Sequence, residues 1–425
     1  MNPSLSKPAT FSDSMSRYFT LTVFLFAALG LSIPSGQATG MTLIFFGTLY
    51  CSVKYWRVAF TRSEALVVAI ALAFYALIML VDVSFRGDGI KAWGRPNRFW
   101  FAALTLLVLC KVRISIQWVW IGIILGTIIP ALIAAYQHYY LGISRGHAFA
   151  MEILFGNIMM TLSLFCFCGM IWAGTQERKF TWSTIFLLAA AMGLIGSLLS
   201  GTRGSLLAAP LLAVPLLFII WQQKAGGSRL ILILFTFAIS VFIFFIAITY
   251  TPLIARTSSA IAEAYSYFVN GEKMTGTGAR LELWRAAIIL FLEKPLIGWG
   301  ELPYRDGLGS LIASGEIELP RSLHGTHSHN EFFNALAKRG MVGFAGLTLV
   351  FLVPMIFFFK QFKRSVDMQT KALAMAGFLT ALSTALYGLT NVNFNHHATT
   401  IFYTFWVAIW AALITSSQNP KRYDG

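Results

Sequence analysis

Twelve apolar stretches, each close to the length of a bilayer-crossing helix, constrain this chain more than any other feature. They run at about 18–34, 39–56, 64–82, 97–112, 115–140, 150–173, 182–199, 203–221, 229–250, 341–359, 371–388 and 398–416. The chain has 425 residues, 57% of them hydrophobic and 12% charged, with a mean hydropathy of +0.70. No soluble core holds so much apolar sequence, so the expectation is an all-α polytopic membrane protein with about 12 transmembrane helices. The 37 Phe and 12 Trp suit lipid-facing helices and interfacial belts. Tyr18–Pro34 follows a polar start and mimics a signal peptide cleaved near Ala38; it is read as an uncleaved first span. Pro130, Pro210 and Pro215 fall inside spans and are expected to kink them. Cys51, Cys110, Cys166 and Cys168 all lie in apolar runs, which argues against a disulfide framework or a thiolate metal site.

The stretches divide the chain in three: spans one to nine over 1–250, a long charged loop over 251–340, and the last three spans with a tail over 341–425. The long loop falls between the ninth and tenth spans, so the chain is not two similar halves. Lys and Arg of the short loops set the orientation. Seventeen lie on one side: Lys7, Arg17, Lys54, Arg57, Arg62, Lys111, Arg113, Arg178, Lys179, Lys224, Arg229, Lys360, Lys363, Arg364, Lys371, Lys421 and Arg422. Six lie on the other, namely Arg86, Lys91, Arg95, Arg98, Arg145 and Arg203. The nine in the long loop are matched by nine acids. Both termini are therefore expected in the cytoplasm and the long loop outside. The net charge of +15 is a topology signal, not a nucleic-acid footprint.

Bases on the outer face run against the positive-inside rule, and each needs a reason. Arg203 stands in the minimal turn Ser200-Gly201-Thr202-Arg203-Gly204, at the level of lipid phosphates; the alternative is an arginine snorkelling to headgroups. Arg145 and His147 are weaker candidates, and Arg86, Lys91, Arg95 and Arg98 read as a solvated or headgroup-binding loop. In the long loop, Gly276–Arg280 leads into a helix with Leu281, Trp284, Ile288 and Phe291 on one face, ending at Glu293–Lys294 before Pro295. Arg280 opens it with Trp284 one turn on, which can also be a stacking anchor; Arg285 reads as structural. Gly298-Trp299-Gly300 reads as a turn at the membrane surface. Residues 301–325, with Gly307, Gly309, Gly315 and Pro320, read as irregular and lid-like.

The loop ends in Gly325-Thr326-His327-Ser328-His329-Asn330-Glu331-Phe332-Phe333. Ser328 with Glu331 three residues on is a capping-box signature, predicting a helix with Ser328 as N-cap and His329 at the first helical position. The positive end of the helix dipole then favours a neutral His329 imidazole able to accept a proton. Phe332, Phe333, Leu336 and Ala337 give the helix an apolar face; Lys338 and Arg339 fall in its last turn and Gly340 ends it. His327 and Asn330 are secondary candidates beside His329. Beyond the tenth span, Asn391, Asn393, Asn395, His396 and His397 suit sugar hydroxyls or helix caps equally well.

Outward arginines with a neutral histidine suit one task. Arg203 and Arg280 can hold a lipid-linked phosphate or pyrophosphate by forked hydrogen bonds, while His329 takes a proton from an attacking hydroxyl. A metal site is the competitor, but His324, His327 and His329 have no standard ligand spacing and no outer Asp-x-Asp pair exists. No metal or cofactor is expected. A transporter is the alternative from another class, disfavoured by few mid-span ionisable groups (Glu152, His138) and no repeat symmetry.

The order Ser200–Gly204, Gly276–Trp284, Pro295–Gly300, His327–Asn330, Arg339–Gly340 resembles the O-antigen ligase/polymerase superfamily. The likeness covers about 195–345 in motifs, and the whole chain in span number and loop placement. It implies a broadly C-type glycosyltransferase architecture in the bacterial inner membrane, acting without metal on the periplasmic face. The implied donor is undecaprenyl pyrophosphate-linked O-antigen, and a ligase's acceptor is lipid A–core oligosaccharide. The implied roles fall on Arg203 and Arg280 for the donor and on His329 for catalysis. A polymerase, whose acceptor is a second lipid-linked glycan, is the near alternative. Either enzyme works among membrane lipids and has no nucleic-acid partner.

Overall fold

The computed structural model describes residues 12–55, 63–86, 90–222, 253–325 and 327–417. The expected ninth span at 229–250 lies outside them, as do Lys7, Arg57, Arg62, Lys224, Arg229, Lys421, Arg422 and Thr326; so do the side chains of Arg86 and Lys91. All regular structure among the described residues is helical. The helices are α1 (Asp13–Leu29), α2 (Gly36–Lys54), α3 (Leu66–Arg86), α4 (Gly94–Leu109), α5 (Ile116–Tyr139), α6 (Glu152–Ala173), α7 (Lys179–Leu199), α8 (Ala213–Gln222), α9 (Leu253–Asn270), α10 (Gly276–Glu293), α11 (Glu301–Ala313), α12 (Glu331–Arg364), α13 (Met368–Tyr387) and α14 (His397–Ser417).

Six of them, α3, α5, α6, α7, α12 and α14, are long and apolar enough to cross a membrane. The other expected spans in the described residues also coincide with helices, with one departure. At 203–221 the chain forms a 3-10 helix, Gly204–Leu212, before α8. Pro210 sits inside that tighter segment, where it removes a backbone donor. Helices α6 and α14 are buried along most of their length. Around α14, Trp410 stacks on Trp406 at 4.9 Å and tilts onto Trp120 at 5.4 Å. All four cysteines are free and buried, as their apolar context requires.

Helices α10 and α11 and the approach to α12 share a small core of their own. Ala279, Leu283, Ala286, Ala287 and Leu290 of α10 pack with Tyr304, Leu308 and Leu311 of α11 and with Ile317, Leu319 and Ala337. This corrects two expectations. Helix α10 buries that small-residue face and leaves Ile288 exposed, because alanines let α11 approach closely. Residues 301–313 are helix, not irregular chain, since Tyr304, Leu308 and Leu311 recur at helical spacing and all face inward.

Gly340 does not end its helix; it kinks it. Its backbone (φ 60°, ψ −157°) is a region essentially restricted to glycine, and helical chain resumes beyond it up to Arg364. The segment Pro295–Gly300 wraps the kink as a strap. Met341 N–H donates to Pro295 O (2.8 Å) and Val342 N–H to Leu296 O (3.2 Å). In return Trp299 N–H donates to Ala337 O (3.0 Å) and Gly300 N–H to Lys338 O (2.7 Å). The freed backbone groups on both sides of the kink are thus satisfied. A Cβ on Gly340 would collide with the Leu296 carbonyl, and one on Gly298 with the Arg339 backbone. Gly340→Ala is therefore expected to cost more than the ~1–3 kcal/mol of backbone strain alone, read as a lowered melting temperature in detergent. An unchanged melting temperature would mean that the strap does not hold the kink.

Candidate active site

Three segments converge beside the α10–α11 core: the turn after α7, the start of α10 and the residues leading into α12. The first carries Arg203. Gly201 takes φ +62° to turn the chain. Ser200 Oγ donates to Thr202 Oγ1 (2.8 Å), which donates in turn to Glu152 O (3.0 Å). Arg145 braces the turn from outside, its Nε donating to Ser200 O (2.7 Å). The His147 backbone N–H donates to Gln137 Oε1 (2.9 Å).

Helix α10 starts four residues earlier than Arg280. Thr275 is its N-cap, with Oγ1 accepting the Gly278 N–H, and Glu263 of α9 accepts the Thr277 N–H (2.8 Å). Arg280 therefore sits in the second turn of a capped helix, where the Glu263 charge acts on it. Burial and the neighbouring Arg203 charge both lower the Arg280 pKa, yet a guanidinium stays protonated. Two arginines are thus held close enough to repel, a placement that an anion between them would relieve. Trp284 stacks on Phe333 (5.4 Å, 29° between planes), tying α10 to the start of α12.

The approach to α12 departs from the capping box. Asn330, not Ser328, is the N-cap: its Oδ1 accepts from Phe332 N (2.9 Å) and Phe333 N (3.2 Å), and its Nδ2 donates to Leu389 O (3.0 Å). Ser328 is buried with its Oγ 3.2 Å from Tyr304 Oη. Glu331 does not reach back to the cap but accepts the Phe394 N–H (2.9 Å). His329 consequently precedes the helix, with a left-handed backbone (φ +51°). Burial, then the Arg280 charge, then His396, push its pKa down to about 4. His329 Nδ1 is buried and, among the described residues, has no hydrogen-bond partner. The His327 ring lies 4.4 Å from that of His329 and 6.2 Å from that of His396. Among the described residues no group of three His, Cys, Asp or Glu is placed to share a metal ion.

Sequence reasoning missed a buried ionic network beneath this site. Glu301 accepts from Lys338 Nζ (2.9 Å) and pairs with Arg95 (3.1 Å), while Arg339 Nε donates to Asp82 (2.9 Å) and reaches Glu301 at 4.0 Å. Arg95 is therefore not a solvated loop residue, and Lys338 and Arg339 do not serve the end of a helix. The available signal was Asp82, a lone acid closing an apolar run uncharged since Ala65.

Comparison with known proteins bears on the same region. Residues 188–348 match the O-antigen ligase family profile. Over this stretch the chain is similar to the O-antigen ligase family. The stretch contains Arg203, Arg280 and His329 together, within three residues of the bounds of the 195–345 motif likeness at one end and seven at the other. An uncharacterized protein of Haemophilus influenzae (strain Rd) is 26% identical over 393 residues, covering 90% of this chain and 95% of the relative. An O-antigen ligase of Escherichia coli K12 is 24% identical over 196 residues, 45% of each chain. The match, with apolar helices around it, supports a multi-pass membrane protein of the ligase or polymerase type.

Proposed function

We propose that this protein is an O-antigen ligase, moving O-antigen polysaccharide from undecaprenyl pyrophosphate to a sugar hydroxyl of lipid A–core. One arrangement supports the reading: the Arg203 charge lowers the Arg280 pKa, and the Arg280 charge, after burial, lowers that of His329. The arginine pair receives the donor pyrophosphate and the charge that develops on it as the glycosyl bond breaks. His329 takes the proton of the attacking hydroxyl through a ring nitrogen. The oxygen of that hydroxyl bonds to the anomeric carbon from the side opposite the departing pyrophosphate. A single displacement of this kind inverts the anomeric centre and needs no metal.

The deciding experiment offers purified protein a lipid-linked glycan with either lipid A–core or a second lipid-linked glycan, with and without EDTA. Product on lipid A–core in the presence of EDTA is the expected result. Chain extension alone would make the protein a polymerase, and activity restored only by divalent ion would return His324, His327 and His329 to consideration as ligands. The reading also needs the long loop, residues 251–340, in the periplasm. Ser310 is exposed on α11, so Ser310→Cys is expected to react with a membrane-impermeant thiol label in intact spheroplasts. Labelling only after lysis would reverse the orientation.

A further inference from the structure

His329 has a left-handed backbone, which is uncommon for any residue but glycine because a Cβ crowds the following carbonyl. Its neighbours fix it on both sides without accounting for it: Ser328 is held against Tyr304 and Asn330 is spent on capping α12. What touches the His329 backbone itself is the preceding histidine. The His329 N–H donates to His327 Nδ1 at 3.1 Å, with the two rings 4.4 Å apart and the edge of His396 closing the other side of His327. An imidazole nitrogen accepts a hydrogen bond only when unprotonated, so the contact requires a neutral His327 with its proton on Nε2. The groups facing that ring are His329, Lys338, His396 and Glu301, and three of the four oppose protonation. Burial first, and then these charges, push the His327 pKa down to about 3.

We propose that His327 is a positioning residue: its Nδ1 lone pair holds the His329 N–H and so fixes the left-handed turn that aims the His329 ring at the reacting hydroxyl. The inference rests on His329 being the base. It also explains why two histidines stand one residue apart when only one has a proton to move. The first removes the option of an extended backbone for the second.

The test compares His327→Phe, which keeps ring volume without the acceptor, with His327→Asn, which puts an amide oxygen near the Nδ1 position. Single-turnover transfer by the Phe variant should fall by roughly 10- to 100-fold, the size expected for losing a contact that pays off ~1–3 kcal/mol of backbone strain. Donor binding should be unchanged, and the Asn variant should recover to within about threefold of wild type. A Phe variant as fast as wild type, or an Asn variant no better than Phe, would overturn the proposal. His329→Ala at full activity would overturn both it and the base assignment; loss in His329→Ala without loss in His327→Phe would overturn the positioning role alone. Should the Phe variant not fold, the wild type still decides. The ¹⁵N spectrum of histidine-labelled protein, differenced against His327→Asn, should show an unprotonated Nδ1 for His327. A protonated Nδ1 would overturn the proposal.

Discussion

His329→Ala is expected to lower single-turnover transfer by ~10²–10⁴-fold, the range for removing a general base, while lipid-linked donor still binds. Arg203→Ala and Arg280→Ala should instead weaken donor binding and turnover together. Arg→Lys at either position should recover activity in part, since lysine keeps the charge but not the planar fork. The pH profile carries the same assignment. In the free enzyme His329 is held down to about 4 by burial and by Arg280, so kcat/KM should stay flat as pH falls past 6.5 and drop only near 4. A base that weak is a poor proton acceptor, and the donor supplies the remedy. Pyrophosphate between the arginines cancels the charge that opposes imidazolium, so the apparent pKa in kcat should lie above that in kcat/KM. If His329→Ala lost donor binding and kept its bound-state rate, the histidine would be a phosphate ligand. If both profiles broke near 6.5, the Arg280 coupling would be wrong.

What was legible in the sequence follows from which forces act locally. Helices at the apolar stretches could be read because length and hydropathy are properties of each segment alone. The Pro210 region defeated that reasoning, since composition does not distinguish an α-helix from the 3-10 segment that forms there. Arg203, Arg280 and His329 were singled out from bases on the unexpected face and a polar approach to a helix, and the structure brings Arg280 into electrostatic contact with both of the others. His329 is nevertheless not at the first helical position, and burial and the Arg280 charge keep it neutral. Ser328 and Asn330 are both good N-caps, and the choice between them was made by remote partners: Tyr304 removes the Ser328 hydroxyl, and Leu389 O orients the Asn330 amide. Glu301 escaped notice for the same reason. Its partners come from 95, 338 and 339, and no periodicity in the sequence connects those positions.

That network supports the prediction with the largest effect on stability. Glu301 is a carboxylate shared by Lys338, Arg95 and Arg339, and its side chain is only 12% exposed against 3% for Lys338. Burial alone would raise its pKa, but the three cations outweigh burial and hold it at about 2. Glu301→Gln leaves the cations without that charge, and breaking a buried pair from one side costs ~3–5 kcal/mol. The damage should reach catalysis as well. Glu301 begins α11, Lys338 and Arg339 immediately precede the Gly340 kink, and Arg339 ties that kink to Asp82 of α3. Loosening this joint frees the start of α12, and with it His329. Glu301→Gln is expected to lower the melting temperature and transfer together, and Lys338→Met added to it should cost less than the two changes summed, because the pair is coupled. Linkage gives a second signature. A carboxylate whose folded pKa is depressed from 4.5 to about 2 contributes stability that is present above pH 4.5 and lost as pH falls through about 2. Wild type should therefore lose stability over that window by an increment missing from Glu301→Gln. Equal acid sensitivity in the two proteins would remove Glu301 from the joint and leave Asp82 and Arg339 to hold it.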